Sequence, residues 1–383
     1  MDQRTIQTLF ALLRSAICGT KLTKSERAQC SEERLRQLLE VSAKHDLAHL
    51  LALGLKQNAL PFQNNAIFAA VYRYERLNHE YEKLCSTLEA TGIPFMPLKG
   101  SVLRQYYPEA WMRTSCDIDI FVHEDDTERA IDILVNECGY TRHEKNAHDI
   151  SLFTPNKVHV ELHYALVEDG IANESSSVLN SVWETANICS GFDYWYEMPD
   201  EMFYFYHIAH MAKHFENGGC GIRTFIDLWI LDNLENADLS ARDRLLERGK
   251  LLKFAQSARR LSKIWFEAMP MDPISRQMEA YILRGGVYGS DDNRITVQQQ
   301  KKGGQIQYAL SKIFIPYDEI KFHYPILQKY RWLTPIMEIR RWGKLIFCGY
   351  TKRSLRELQY NSHISMDEAV SMQKFLKNIG LYG

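Results

Sequence analysis

The sequence predicts an α+β fold, a core of short strands interleaved with helices and flanked by helical regions. Three observations carry this. Apolar residues recur at helical spacing up to about residue 90, the period shortens to that of strands between Ile93 and Leu166, and the helical period returns beyond Leu166. A chain of 383 residues with 45% hydrophobic content can bury one large core, or two or three smaller ones.

The elements follow in order. Leu9, Leu12, Leu13 and Ile17 mark a first amphipathic helix, and Leu35, Leu38 and Leu39 another. From Asn64 to Ala90, the stripe Ile67, Ala70, Val71, Tyr74, Leu77, Tyr81, Leu84 and Leu88 predicts one long helix, stopped by Thr91-Gly92. "IPFMPLKG" reads as a strand, "SVLRQYY" as a helix and "DIDIFV" as a second strand. "DTERAIDILVNECGY" is an amphipathic helix closed by Gly139. "YTRHEK" and "DISLFT" are strands joined by a turn at Asn146, and "KVHVELHYAL" has the cleanest alternation in the chain. "DEMFYFYHIAHMAKHF" is a helix with Asp200 as its expected N-cap, and after the break "NGGCG" comes the helix "IRTFIDLWILDNL". These readings divide the chain into an N-terminal helical region (1–90), an α/β core (91–170) and a helical domain packed on the cleft of that core (171–285). A flexible polar loop (286–305) and a basic, aromatic-rich helical region (306–383) complete it.

Composition sets the outer limits. The formal net charge is −2, so attraction to nucleic acid or to an anionic membrane has to come from a local patch. The eight cysteines are scattered with no CxxC pair, which excludes a zinc finger and a small disulfide scaffold. The opening "MDQRTIQTLFALLRSAICGT" reads as an amphipathic helix and no window nears 18 uninterrupted apolar residues, so a cytoplasmic protein is the expectation.

Within "DIDIFV", Asp117 and Asp119 fall on one face of the strand while Ile118, Ile120 and Val122 fall on the other. Two like charges side by side raise each other's pKa unless a cation joins them. Lys99-Gly100-Ser101 ends the preceding strand and opens a helix, where backbone N–H groups suit a phosphate. Glu161 sits mid-strand in "VHVELHY". Three carboxylates on neighbouring strands make an oxygen-rich site suited to Mg²⁺ or Mn²⁺.

The combination "PLKGSVLRQYY…MRTSCDIDIFV…VHVELHYAL", continued by "HIAHMAKHFENGGCGIRTFIDLWIL", resembles the bacterial uncharacterised nucleotidyltransferases of the DNA polymerase beta-like superfamily. The resemblance covers about 140 residues strongly. It implies a mixed-sheet core and a two-metal enzyme that moves an NMP from an NTP to an acceptor hydroxyl or amine, releasing pyrophosphate. Carried over, Gly100 and Ser101 become the triphosphate-binding turn, and Asp117, Asp119 and Glu161 the catalytic metal ligands. Lys99 and Arg113 are expected to add phosphate contacts. Both aspartates are expected to matter more to turnover than to folding.

His207, His210 and His214 share one helix face, with Asp227 on the next helix. This face is expected either to line the cleft, with Lys213, His214 and Arg223 meeting the nucleotide, or to hold the metal of a phosphohydrolase. A catalytically silent nucleotide-binding scaffold is the third alternative. Between Lys301 and Leu358 basic residues outnumber acidic ones and aromatics are interleaved, which suits contact with RNA or a membrane surface. Neither GxSxG nor GxxxxGK[ST] occurs. The acceptor, whether protein, RNA or small molecule, is not specified by these motifs.

Overall fold

The structure, a computed structural model, describes residues 1–167, 174–317, 320–321, 324–347, 357 and 359–381. Five strands form its main sheet: β1 (Phe95–Pro97), β2 (Asp117–Val122), β3 (Thr141–Lys145), β4 (Asp149–Phe153) and β5 (His159–His163). Their order is β1-β2-β5-β4-β3. β2 and β5 run parallel and the other neighbours run antiparallel, so the sheet is mixed, as expected. A parallel pair needs a crossover, and the helix Thr127–Asn136 followed by the β3–β4 hairpin supplies it.

Alternation along the strands separates two environments. Ile118, Ile120 and Val122 of β2, Ile150 and Leu152 of β4, and Val160 and Leu162 of β5 pack into one core. The long helix Asn65–Ala90 adds Leu77, Leu84 and Leu88 to it, and the crossover helix adds Ala130, Ile131 and Leu134. The opposite face carries Asp117, Asp119, Glu161 and His163. Only Phe121 of β2 joins the second core, which gathers the N-terminal helices Gln3–Cys18 and Ala48–Gln57 with the helices Asp200–Glu216, Ile222–Asp232, Leu252–Phe266 and Pro273–Leu283. The polar face of the sheet is therefore turned towards a helical body.

Two local expectations are corrected, and one element is new. Asp200 lies inside the first turn of its helix rather than at the cap, where Pro199 stands. Its carboxylate instead accepts from the fully buried Arg242, at 2.7 Å from Nε and 2.5 Å from Nη2. Within the expected loop 286–305, Asp291–Lys301 form a helix with two acidic residues in its first turn. A two-stranded ribbon, Asn187–Ile188 with Tyr196–Glu197, was not anticipated.

Of the basic, aromatic-rich region, residues 318–319, 322–323, 348–356, 358 and 382–383 lie outside the described residues. Among the described residues, no helix is long and apolar enough to cross a membrane.

Candidate active site

Register brings the carboxylates together. Across the parallel pair, Asp119 stands opposite Glu161 and Asp117 opposite His159. The turn after β1 is tied to the same strand, with Leu98 N–H donating to the Asp119 carbonyl at 3.0 Å. Lys99 takes a left-handed φ of 44°, a conformation that a non-glycine residue adopts at a cost. Its Nζ donates to Asp119 Oδ1 at 2.8 Å and lies 4.0 Å from Glu161 Oε2. From β5, His163 Nε2 donates to the same Asp119 oxygen at 2.9 Å and lies 3.5 Å from Glu161 Oε2. Gly100 is buried, and a Cβ there would stand 3.2 Å from Ser115 Oγ.

The two aspartates are not equivalent. Burial works against the Asp119 charge, but Lys99 and His163 outweigh it and hold this carboxyl well below the usual range. Burial also opposes the charges on Lys99 and His163. Asp119 reverses the effect at both, with Glu161 assisting, so both groups keep their protons more firmly than usual. Asp117 goes the other way. Burial raises its pKa, and Asp119 and Glu161 raise it further.

The donors fit a hard divalent cation. Asp117, His159 and Glu161 can each offer one ligand atom within 4.8 Å of the others, and so can Asp119, Glu161 and His163. Carboxylate oxygens with one imidazole per group suit Mg²⁺ or Mn²⁺.

A cavity of about 550 Å³ opens over the carboxylates. Lys99, Gly100, Arg113, Asp117, Asp119, Glu161, Lys213, His214 and Arg223, nine of the expected site residues, line it. Ser101 lies outside the lining, and its buried hydroxyl has no partner among the described residues. Its expected triphosphate contact finds no support in this placement.

The basic wall is braced from behind. Arg113 Nε donates to Asp227 Oδ1 at 2.7 Å, and the Tyr107 hydroxyl donates to the same oxygen at 2.7 Å. Arg223 Nη1 donates to the Thr114 carbonyl at 2.9 Å and to Asp46 Oδ2 at 3.1 Å. Both guanidiniums are thereby fixed in orientation.

The histidine face is engaged with its own neighbours. His207 Nε2 donates to the Thr224 carbonyl at 3.2 Å, and Asp227 is occupied by Arg113 and Tyr107. Among the described residues, no potential metal-holding group includes His207, His210, His214 or Asp227. His210 and His214 instead pair with each other, Nε2 to Nε2 at 3.1 Å. Burial, and then the neighbouring His214, hold His210 well below its ordinary pKa; burial, with Lys99 and Lys213, brings His214 down to about 4. Two neutral imidazoles therefore face the cavity.

Sequence reasoning missed His163 as a partner of the carboxylates and Tyr206 as part of the lining. The signal for His163 was its place two residues beyond Glu161, on the same face of β5. Tyr206 lies one turn before His210 on the cavity side of its helix.

No curated protein and no solved structure matches this sequence. The family model described as an uncharacterised nucleotidyltransferase matches residues 31–267, a span that takes in all five strands, the carboxylates and the histidine-bearing helix. With well over half of its length inside that match, the chain belongs to the family of uncharacterised nucleotidyltransferases.

Proposed function

We propose that the protein is a metal-dependent nucleotidyltransferase that moves an NMP from an NTP to an acceptor hydroxyl or amine. One observation carries this reading: Asp117, Asp119 and Glu161 converge from adjacent strands and line one cavity together with Arg113 and Arg223. Carboxylates and guanidiniums in one cavity are the polarity that a metal-chelated triphosphate requires.

Asp117, Asp119 and Glu161 would hold Mg²⁺ or Mn²⁺, with His159 and His163 as flanking donors. When bound, the cation supplies Lewis-acid polarisation of the α-phosphate and acidifies the attacking hydroxyl. Arg113 and Arg223, held by Asp227 and Asp46, orient the phosphate oxygens. Lys99 would then give up part of its contact with Asp119 and turn to the phosphates. The acceptor oxygen or nitrogen forms a bond to the α-phosphorus as its bond to the bridging oxygen breaks, and pyrophosphate departs with that oxygen. Glu161, the more exposed carboxylate at 26% against 5% for Asp119, takes the acceptor's proton.

The test is incubation of the full chain with each α-labelled NTP and Mg²⁺ or Mn²⁺ in cell extract, followed by identification of what becomes labelled. Label in an acceptor, lost in Asp117→Asn, is expected. No label with any base or either metal would sink the reading.

A further inference from the structure

Two glycine-rich segments left without a role in the chemistry meet at the mouth of the cavity. One is the turn Gly218–Gly221 between the helices Asp200–Glu216 and Ile222–Asp232. The other is Gly285–Gly289, whose tip carries Val287 and Tyr288 into the cavity lining. This second turn is held from several sides. Gly286 and Gly289 exchange N–H donations to each other's carbonyl at 3.1 Å each. Val287 N–H donates to the Lys44 carbonyl at 3.1 Å, and the Val287 carbonyl accepts from Gly221 N–H at 3.1 Å. Ser290 N–H donates to the Gly218 carbonyl at 3.1 Å.

The packing leaves no room for a side chain at five of these six glycines. A Cβ on Gly286 would lie 2.6 Å from the Lys44 carbonyl oxygen, and one on Gly289, at φ 77°, would lie 2.4 Å from the Gly218 carbonyl oxygen. A segment expected to flex is thus locked to two separate parts of the chain, Lys44 and the turn Gly218–Gly221.

What this rigid turn presents is an exposed ring. Tyr288 is 72% accessible, and among the described residues its ring and hydroxyl have no hydrogen-bond, aromatic or cationic partner. Asp117 and Arg223 stand near enough for their charges to act on its phenol. Aromatic rings usually gain their stability by being covered, so a tyrosine held bare beside a polar cavity calls for a flat partner that arrives from outside.

We propose that Tyr288 is the stacking surface for the nucleobase of the NTP, a role that rests on the nucleotidyltransferase reading. The base of a nucleotide lies one ribose away from its α-phosphate, which places it at the cavity mouth when the phosphates meet the carboxylates and arginines. A tyrosine on a fixed backbone offers this contact at little conformational cost, with only two side-chain torsions to order. Every base has a π-face, so stacking alone tolerates all four, and the larger purines gain more from it.

The test compares two probes on the full chain by titration calorimetry with Mg²⁺: ATP, and inorganic tripolyphosphate, which has no base. In the wild type ATP should bind more tightly than tripolyphosphate. Tyr288→Ala should weaken ATP by at least about tenfold and leave tripolyphosphate unchanged, while Tyr288→Phe keeps wild-type affinity for both. The exposed position predicts an unchanged melting temperature for either variant. Equal ATP binding by wild type and Tyr288→Ala overturns the proposal. So does a parallel loss of both probes, or a wild type that binds ATP no better than tripolyphosphate. A wild type that binds neither probe ends the nucleotide reading itself, a result distinguishable from failure at Tyr288 alone.

Discussion

Replacing Asp117 and Asp119 in turn by Asn changes shape little and removes one negative charge each time, yet the two variants should differ in stability. The Asp119 side chain is 5% exposed and accepts from Lys99 at 2.8 Å and from His163 at 2.9 Å. Removing one partner of a buried ion pair costs roughly 3–5 kcal/mol. Two features lower that figure here: the Lys99 side chain is 24% exposed, so water takes up part of its charge, and the Asn carbonyl still accepts a hydrogen bond. We therefore expect Asp119→Asn to lose about 2–3 kcal/mol. For Asp117, whose ionisation is opposed by burial and then by Asp119 and Glu161, the same change relieves repulsion, and stability should stay level or rise by up to about 1 kcal/mol.

The assay is urea denaturation of the full chain in chelator, followed by the fluorescence of its seven tryptophans. Lys99→Met combined with Asp119→Asn should cost less than the two single changes added together, because the pair is lost only once. In Mg²⁺ or Mn²⁺, both Asn variants should transfer nucleotide at least about a hundredfold more slowly, roughly 2.7 kcal/mol of transition-state stabilisation. Equal stability losses at positions 117 and 119 would falsify the asymmetric electrostatics. Unchanged transfer would make the carboxylates structural.

Three further outcomes are expected. Glu161→Gln should slow transfer by about a hundredfold while stability stays within about 0.5 kcal/mol, since Glu161 is partly exposed and stands 3.5 Å from His163 and 4.0 Å from Lys99, beyond the short contacts that Asp119 makes; a fall in folding stability as large as that of Asp119→Asn would contradict this. His45 is fully buried, with Nδ1 accepting from Ile222 N–H, and burial followed by the Lys44 charge brings its pKa from 6.5 to about 4. Its folded pKa is depressed, so the associated stability is present above pH 6.5 and is lost as pH falls towards 4, by about 3 kcal/mol at most; His45→Gln should flatten the stability–pH curve in that window, and an unchanged slope would refute the assignment. Gly289→Ala should cost about 3 kcal/mol through backbone strain and the clash with Gly218, whereas Gly343→Ala, on a helix with nothing within 4 Å of the new methyl, should stabilise by up to about 1 kcal/mol. Matching denaturation curves for the two glycine variants would show that the turn is not locked.

The sequence by itself determined the local geometry. Period two in "DIDIFV" and "VHVELHY" placed the acids on one strand face and the aliphatic residues on the other, and both faces are found as read. Period 3.6 in Asn65–Ala90, Thr127–Asn136 and Asp200–Glu216 marked the helices for the same reason: each pattern repeats over a handful of residues and needs no distant partner. Only the tertiary structure decided how these pieces were paired. Parallel register set Asp119 against Glu161, 42 positions away, and Lys99 reached Asp119 from 20 residues back, in the turn that follows β1. Asp227 was taken by Arg113, 114 residues distant, a pairing that helix spacing alone does not reveal. The glycines of 285–289 read as a flexible loop because a glycine's local preference is freedom. Their immobility comes from contacts with Lys44 and Gly218, made across long stretches of chain that no local period records.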